Sequence, residues 1–167
     1  MRLVVCDTGP LLHLSEVGRL DLLSAAGEVV IPAAVADELT RRLPEWGLRK
    51  PDCIRIDALD PVHADQAVAW EASGMLHAGE AESLALALQL NCDWYLTDDT
   101  AARVFASSLG IEVHGTIGVV LWAASNGATS RSETESLLDR LANESSLWIS
   151  PRVITEAKSG LDQLCSS

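Results

Sequence analysis

Acidic side chains follow two apolar runs that lie far apart in the chain. The run WYLT ends in the adjacent carboxylates Asp98 and Asp99, and the first apolar run, RLVVC, ends in Asp7. Carboxylates within ~4 Å of one another repel by about 4 kcal/mol per pair at an effective dielectric of about 20. Oxygen ligands with several water molecules are what Mg²⁺ or Mn²⁺ prefers. If folding brings these acids together, we expect a site for divalent cations.

Further acids stand on segments with helical spacing. Glu38 lies within AAVADELTRRL, and Glu80 and Glu82 begin GEAESLALAL. Each acid also has an ordinary structural interpretation: Asp99 as a helix N-cap, Asp7 as a turn residue, Glu38 as the partner of a nearby arginine, and the other two as favourable charges in a first helical turn. Only their joint position would indicate chemistry.

The elements that must position these acids alternate along the chain. Short apolar runs predict five strands, at residues 2–6, 28–32, 53–57, 93–97 and 111–115. Helical spacing predicts helices at residues 10–27, 33–43, 63–73, 79–91, 100–110, 116–127, 132–143 and 151–164. Strands that alternate with helices favour an α/β fold with a parallel sheet. The stretch Pro44–Pro51 is predicted to be the only flexible insertion.

Such a sheet would bring the acids together. Ligands of open parallel sheets bind at the carboxyl ends of the strands, where the strand order reverses. Strands one and four commonly lie side by side at that point. Asp7 would then face Asp98 and Asp99 across one crevice, with the glutamates on the flanking helices.

Composition limits the classes of function. With 167 residues the chain is long enough for one domain. A net charge of −12 argues against a general nucleic-acid coat protein, but it does not exclude an enzyme that acts through bound cations. The one basic cluster holds four residues: Arg41, Arg42, Arg49 and Lys50. It is either a solvated helix end or a strip for phosphates or an acidic partner.

We expect a cytoplasmic protein without a membrane span. No apolar run approaches the ~20 residues that a span requires, and the first residues are typical of a buried strand rather than of a secretory signal. The four cysteines are scattered and are expected to be free thiols: Cys6, Cys53, Cys92 and Cys165.

The ordered set VVCDTGPLLHL, VVIPAAVADEL, GEAESLALAL and YLTDD resembles the PIN domains of VapC-like toxin ribonucleases. The most similar subgroup carries GEAE in place of the more usual third aspartate. The resemblance covers roughly residues 3–125. It implies a single PIN-like domain over 1–167: a three-layer α/β/α core at 1–125 around a five-stranded parallel sheet, and a C-terminal helical extension at 126–167 that packs or binds a partner.

The resemblance also implies roles for particular acids. The catalytic set it implies is Asp7, Glu38, Glu80 and Asp99. The metal ligands it implies are Asp7, Glu80, Asp98 and Asp99. Glu80 and Glu82 stay alternatives for the third acid, with Glu80 ranked first. The pattern Thr-x-Asp favours Asp99 over Asp98 as the fourth, with Thr97, and also Thr8, as supporting hydroxyls.

The activity implied is that of an endoribonuclease that uses Mg²⁺ or Mn²⁺ to activate water for in-line attack on an RNA phosphodiester. Such toxins belong to type II toxin–antitoxin pairs, and the antitoxin plugs the acidic crevice, often with an arginine. A homodimer is expected on the same ground. The main alternative is a catalytically silent PIN-like binding module. An aspartic protease would require a β-rich chain, and a receiver domain would require a lysine that IEVHGT lacks.

Overall fold

A computed structural model describes residues 1–164, so Cys165 lies outside the described residues. Five parallel strands form one sheet in the order β3-β2-β1-β4-β5. Their bounds are β1 Leu3–Cys6, β2 Glu28–Ile31, β3 Ile54–Ile56, β4 Trp94–Leu96 and β5 Val113–His114. The predicted α/β fold with a five-stranded parallel sheet is confirmed. β1 and β4 are neighbours, in the register Val4↔Trp94 and Cys6↔Leu96.

Ten α-helices surround the sheet within residues 1–164. Their bounds are α1 Thr8–Glu16, α2 Leu23–Ala26, α3 Ala33–Arg42, α4 Trp46–Arg49, α5 Pro61–Ala72, α6 Ala78–Leu90, α7 Thr100–Ser108, α8 Thr116–Ser125, α9 Arg131–Glu144 and α10 Pro151–Leu164. None of the helices that the structure describes is long and apolar enough to cross a membrane.

The two faces of the sheet bury alternate residues of each strand. Val4 and Cys6 belong to one apolar cluster, with α1, α2, α3, α8, α9 and α10, whereas Val5 belongs to the other, with α5, α6 and α7. Because both faces are covered, the strands are continuous apolar runs rather than alternating ones. The arrangement gives three layers.

The predicted helix at 10–27 is wrong as a single element. α1 ends at Glu16, and Gly18 follows with φ of +68°, a conformation that glycine adopts without steric cost. The N–H of Arg19 donates to the carbonyl of Leu14 at 2.8 Å, which closes the helix end. The apolar pattern continued past this break because Leu22 and Leu23 pack into the same core.

The stretch predicted to be a flexible insertion contains α4. Trp46 at its start is only 4% exposed and packs into the core beside α3. The buried indole of Trp46 thus fixes the stretch Pro44–Pro51, which was predicted to be flexible.

The C-terminal helices share the main core. Leu138 and Leu141 of α9 and Leu161 of α10 are fully buried in the cluster that contains β1. The division of the chain at residue 125 stays a prediction, but α9 and α10 pack as part of the same body.

Candidate functional site

A crevice of about 510 Å³ opens at the carboxyl ends of β1 and β4. Five carboxylates line it: Asp7, Glu38, Glu80, Asp98 and Asp99. They come from four separate stretches of chain, at the starts of α1, α6 and α7 and within α3. The crevice therefore lies where the strand order reverses, as expected for a ligand site of a parallel sheet.

Asp7 is the most deeply buried acid of the crevice, with 5% of its surface exposed. It is the N-cap of α1, where it accepts the N–H of Thr8 at 2.7 Å and the hydroxyl of Thr97 at 3.1 Å. Burial, with the charges of Glu80 and Glu38, raises its pKa from 3.8 to about 7, although these two hydrogen bonds lower it. In metal-free protein this carboxyl therefore binds a proton more readily than an exposed aspartate does.

Glu38 reaches the crevice from the middle of α3. Its Oε2 accepts the hydroxyl of Thr8 at 2.8 Å, and its Oε1 lies 3.3 Å from Nη1 of Arg42, one helical turn later. The predicted pairing with an arginine therefore exists, but it occupies only one carboxylate oxygen. The second oxygen points to Thr8, beside Asp7.

Glu80 lies at the third position of α6 and serves as part of its capping box. Its Oε2 accepts the N–H of His77 at 2.9 Å. Burial raises the pKa of Glu80, and the charges of Asp99 and Glu38 raise it further, while His77 lowers it. The electrostatic influence of these two acids shows that Glu80 belongs to the same negative cluster.

Gly79 leaves the space into which this cluster fits. A Cβ at this position would stand 3.2 Å from Oε2 of Glu38, 3.6 Å from the hydroxyl of Thr8 and 3.8 Å from Oδ1 of Asp7. Two carboxylates and a hydroxyl thus converge on the backbone at the start of α6. In the sequence, only the place of Gly79 in GEAE could have indicated this role.

Asp98 and Asp99 have different environments although they are adjacent. Oδ1 of Asp99 accepts the N–H of Ala102 at 2.8 Å as the N-cap of α7, while its own N–H donates to Thr97 at 3.2 Å. The hydroxyl of Thr97 therefore joins Asp99 to Asp7. The predicted N-cap role and a place in the crevice are compatible, because the second oxygen of Asp99 is not used by the cap.

Asp98 forms hydrogen bonds with three donor groups of His13 and Thr116. It accepts the N–H of Thr116 at 2.8 Å and its hydroxyl at 2.5 Å, and its Oδ2 lies 2.7 Å from Nδ1 of His13. Burial alone would raise the pKa of Asp98, but the hydrogen bonds from His13 and Thr116 prevail and lower it. This side chain ties α1 to α8. No pattern in the sequence indicated this contact between His13 and Asp98.

Glu82 lies outside the crevice. Its Oε2 accepts the N–H of Ala34 at 3.1 Å and so caps the start of α3. Of the two alternatives in GEAE, the structure brings Glu80 to Asp7 and sends Glu82 to a neighbouring helix.

The donors of the crevice fit a hard divalent cation. Within residues 1–164 no three His, Cys, Asp or Glu side chains stand close enough to enclose a metal ion. Mg²⁺ does not require such an enclosure, since it is usually held by one or two carboxylates and keeps several waters. Asp7, Glu80 and Asp99 supply only oxygen donors, and each retains lone pairs beyond its capping hydrogen bond.

A family model described as a PIN domain matches residues 3–163, which includes the C-terminal helices. No curated protein matches the chain.

Proposed function

The chain belongs to the PIN-domain family, whose members are generally nucleases, and on this premise we propose that it is a metal-dependent endoribonuclease. The observation that supports this most is the state of Asp7. Its pKa of about 7 reflects burial beside two further acids, and within residues 1–164 no Lys or Arg forms an ion pair with it. A divalent cation supplies the missing positive charge.

Asp7, Glu80 and Asp99 would hold Mg²⁺ or Mn²⁺, in part through water. When bound, the cation stabilises negative charge on the phosphodiester and makes water easier to deprotonate. The VapC-like subgroup, the choice of metal and the ligand set all belong to this proposal.

The other residues of the crevice orient these groups. The hydroxyl of Thr97 fixes both the carboxylate of Asp7 and the backbone of Asp99. Glu38, whose Oε2 accepts the hydroxyl of Thr8, would accept a hydrogen bond from the attacking water and so orient it. Because Asp98 accepts three hydrogen bonds from His13 and Thr116, we assign it a structural role instead of a ligand role.

We further propose that the protein is the toxin of a cytoplasmic type II toxin–antitoxin pair and acts as a homodimer. Five carboxylates in one crevice of a chain with net charge −12 favour a basic antitoxin segment, because complementary charge steers and fixes such contacts. An arginine inserted there would compete with the cation.

Metal removal tests the proposed activity. We expect the purified protein to cleave single-stranded RNA with Mn²⁺ or Mg²⁺, and excess chelator to abolish cleavage until the cation is restored. The measurement is the rate of product formation on a labelled oligonucleotide. Cleavage that persists under chelation would show a different mechanism or a contaminant. Absence of cleavage with every dication would favour the silent binding module.

Substitution of two glycines by alanine, one at the crevice and one as a control, tests the geometry of the crevice without removing a carboxylate. Gly79→Ala is expected to lower cleavage roughly 10- to 100-fold, the usual effect of disturbing groups that support a metal site. The reason is that the new Cβ would stand 3.2 Å from Oε2 of Glu38. Gly160→Ala in α10 is the matched control, since no atom outside its own helix lies within 4 Å of a Cβ there. Alanine is the better helix former at both positions, so equal effects on cleavage would contradict the crevice assignment.

A further inference from the structure

The segment between α9 and α10, residues 145–150, lines part of the acidic crevice through Ser146, Leu147 and Trp148. Glu16 at the end of α1 fixes it, accepting the N–H of Ser146 at 2.6 Å and its hydroxyl at 2.8 Å. The hydroxyl of Ser145 donates to the carbonyl of Leu141 at 2.6 Å. These anchors set the position of the next residues, Leu147 and Trp148, which line the crevice.

A second crevice of about 460 Å³ continues from the first. The two share four lining residues: Asp98, Thr100, Leu147 and Trp148. The walls of the second crevice are mainly apolar, with Ile117 and Leu121 from α8 opposite Ile149. Its volume lies within the ~300–1,000 Å³ of small-molecule pockets. If the phosphate of a ligand lies at the acids of the first crevice, the next unit of that ligand would lie in the second crevice.

Trp148 lines both crevices where they meet and is 85% exposed. Within residues 1–164 its indole has no hydrogen bond and no ring partner. The other tryptophans are covered: Trp94 packs on Trp122, Trp70 packs on Phe105, and Trp46 is buried. An exposed aromatic face beside a phosphate site is what single-stranded nucleic acid uses for base stacking.

Arg103 of α7 supplies positive charge to the second crevice. Its Nη1 donates to the carbonyl of Thr97 at 3.2 Å, which holds the guanidinium at the crevice wall. A Cβ on Gly115 would stand 2.9 Å from this Nη1 and 2.7 Å from Oδ1 of Asp98, so glycine makes room for both groups. On the opposite side of the acids, Arg42 lines the first crevice. The acids are thus flanked by one guanidinium on each side.

We propose that the second crevice is a subsite for an unpaired nucleotide adjacent to the scissile phosphate, with its base stacked on Trp148 and its phosphate beside Arg103. This inference rests on the proposed ribonuclease function. The base must be unpaired and splayed out of a stack, because a base within a duplex offers no free face. A protein segment would match the apolar wall but would not require the combination of an aromatic face, a guanidinium and continuity with the acids.

Binding of RNA to variants at position 148 tests the subsite. Anisotropy of a labelled single-stranded decamer is measured with Mg²⁺ in the Glu38→Gln background. This background keeps the three proposed metal ligands and loses the carboxylate proposed to orient the attacking water, so that cleavage does not interfere. Trp148→Ala is expected to weaken binding about tenfold or more, Trp148→Phe to weaken it less, and neither to alter the weak binding of the matching duplex. Leu48→Ala is the control, because this apolar side chain is 92% exposed and lines neither crevice.

The outcomes separate the subsite from the proposed activity. Metal-dependent cleavage by the wild-type chain together with unchanged RNA binding of Trp148→Ala would overturn the subsite alone and would leave the exposed indole to a protein partner. Trp148-dependent RNA binding without cleavage would support the subsite and overturn the nuclease. Absence of single-stranded RNA binding in the Glu38→Gln chain, which keeps the proposed metal ligands, would also overturn the subsite. Thermal unfolding verifies that each variant is folded.

Discussion

Asp7→Asn is expected to lower the rate of metal-dependent RNA cleavage about a thousandfold, since a metal ligand contributes several kcal/mol of transition-state stabilisation. The amide preserves the size of the side chain. It still accepts the N–H of Thr8 and still reaches the hydroxyl of Thr97. Only the negative charge is lost. Single-turnover cleavage of a labelled RNA at saturating Mn²⁺ measures the effect.

Glu80 and Glu82 provide the matched comparison for this experiment. Both lie in the first turns of α6, and each carries one charge and accepts one backbone N–H. Glu80→Gln is expected to lower cleavage strongly, whereas Glu82→Gln is expected to retain it, because Glu82 faces α3 and not the crevice. The reverse order would show that α6 presents its other side to the substrate. Full activity of Asp7→Asn would end the proposal that the crevice is the active site.

The second large effect concerns stability without metal. The pKa of Asp7 rises from 3.8 to about 7 on folding, so the folded state binds a proton more tightly than the unfolded state. The resulting stabilisation is fully present below pH ~4 and is lost as the pH rises through about 7. At 1.36 kcal/mol per pKa unit, the free energy of unfolding falls by about 4 kcal/mol over this range on account of Asp7.

Asp7→Asn removes this pH-dependent fall in the free energy of unfolding, because the amide does not titrate. At pH 8 in chelator the variant is expected to unfold roughly 10 °C higher than the wild-type chain, since ~1 kcal/mol shifts the midpoint by ~2–4 °C in a chain of this size. At pH 4 the two should unfold alike. Thermal unfolding followed by circular dichroism at pH 4, 6 and 8 measures the difference.

Asp65→Asn is the control for the loss of one charge from an acidic chain, because Asp65 is exposed on α5. It should shift the midpoint little at any pH. A difference between Asp7→Asn and the wild-type chain that did not depend on pH would contradict the raised pKa of Asp7. Saturating Mn²⁺ should narrow the gap at pH 8, since the cation stabilises only the chain that retains the carboxylate.

The number and parallel arrangement of the strands, and the place of β1 beside β4, could be predicted from the sequence. Each central strand is a short apolar run, because both faces of the sheet are covered, and each run ends in a helix-starting residue such as Asp7 or Asp99. The rule that ligands bind where the strand order reverses then predicted which ends would meet. The prediction of a single helix at 10–27 was wrong because the spacing of apolar residues reflects their burial. Buried residues occur on both sides of the turn at Gly18.

What the sequence by itself determined is therefore local: the alternation of strands and helices, and the presence of acids at the carboxyl ends of strands. Only the tertiary structure decided that Glu80 and not Glu82 lines the crevice, and that His13 and Thr116 hold Asp98 whereas Asp99 caps α7. Residues two apart on a helix point roughly 200° apart, so docking of α6 separates Glu80 from Glu82. Likewise, only packing of α9 and α10 brings Trp148 to the site, because contacts between residues distant in sequence depend on how whole helices pack.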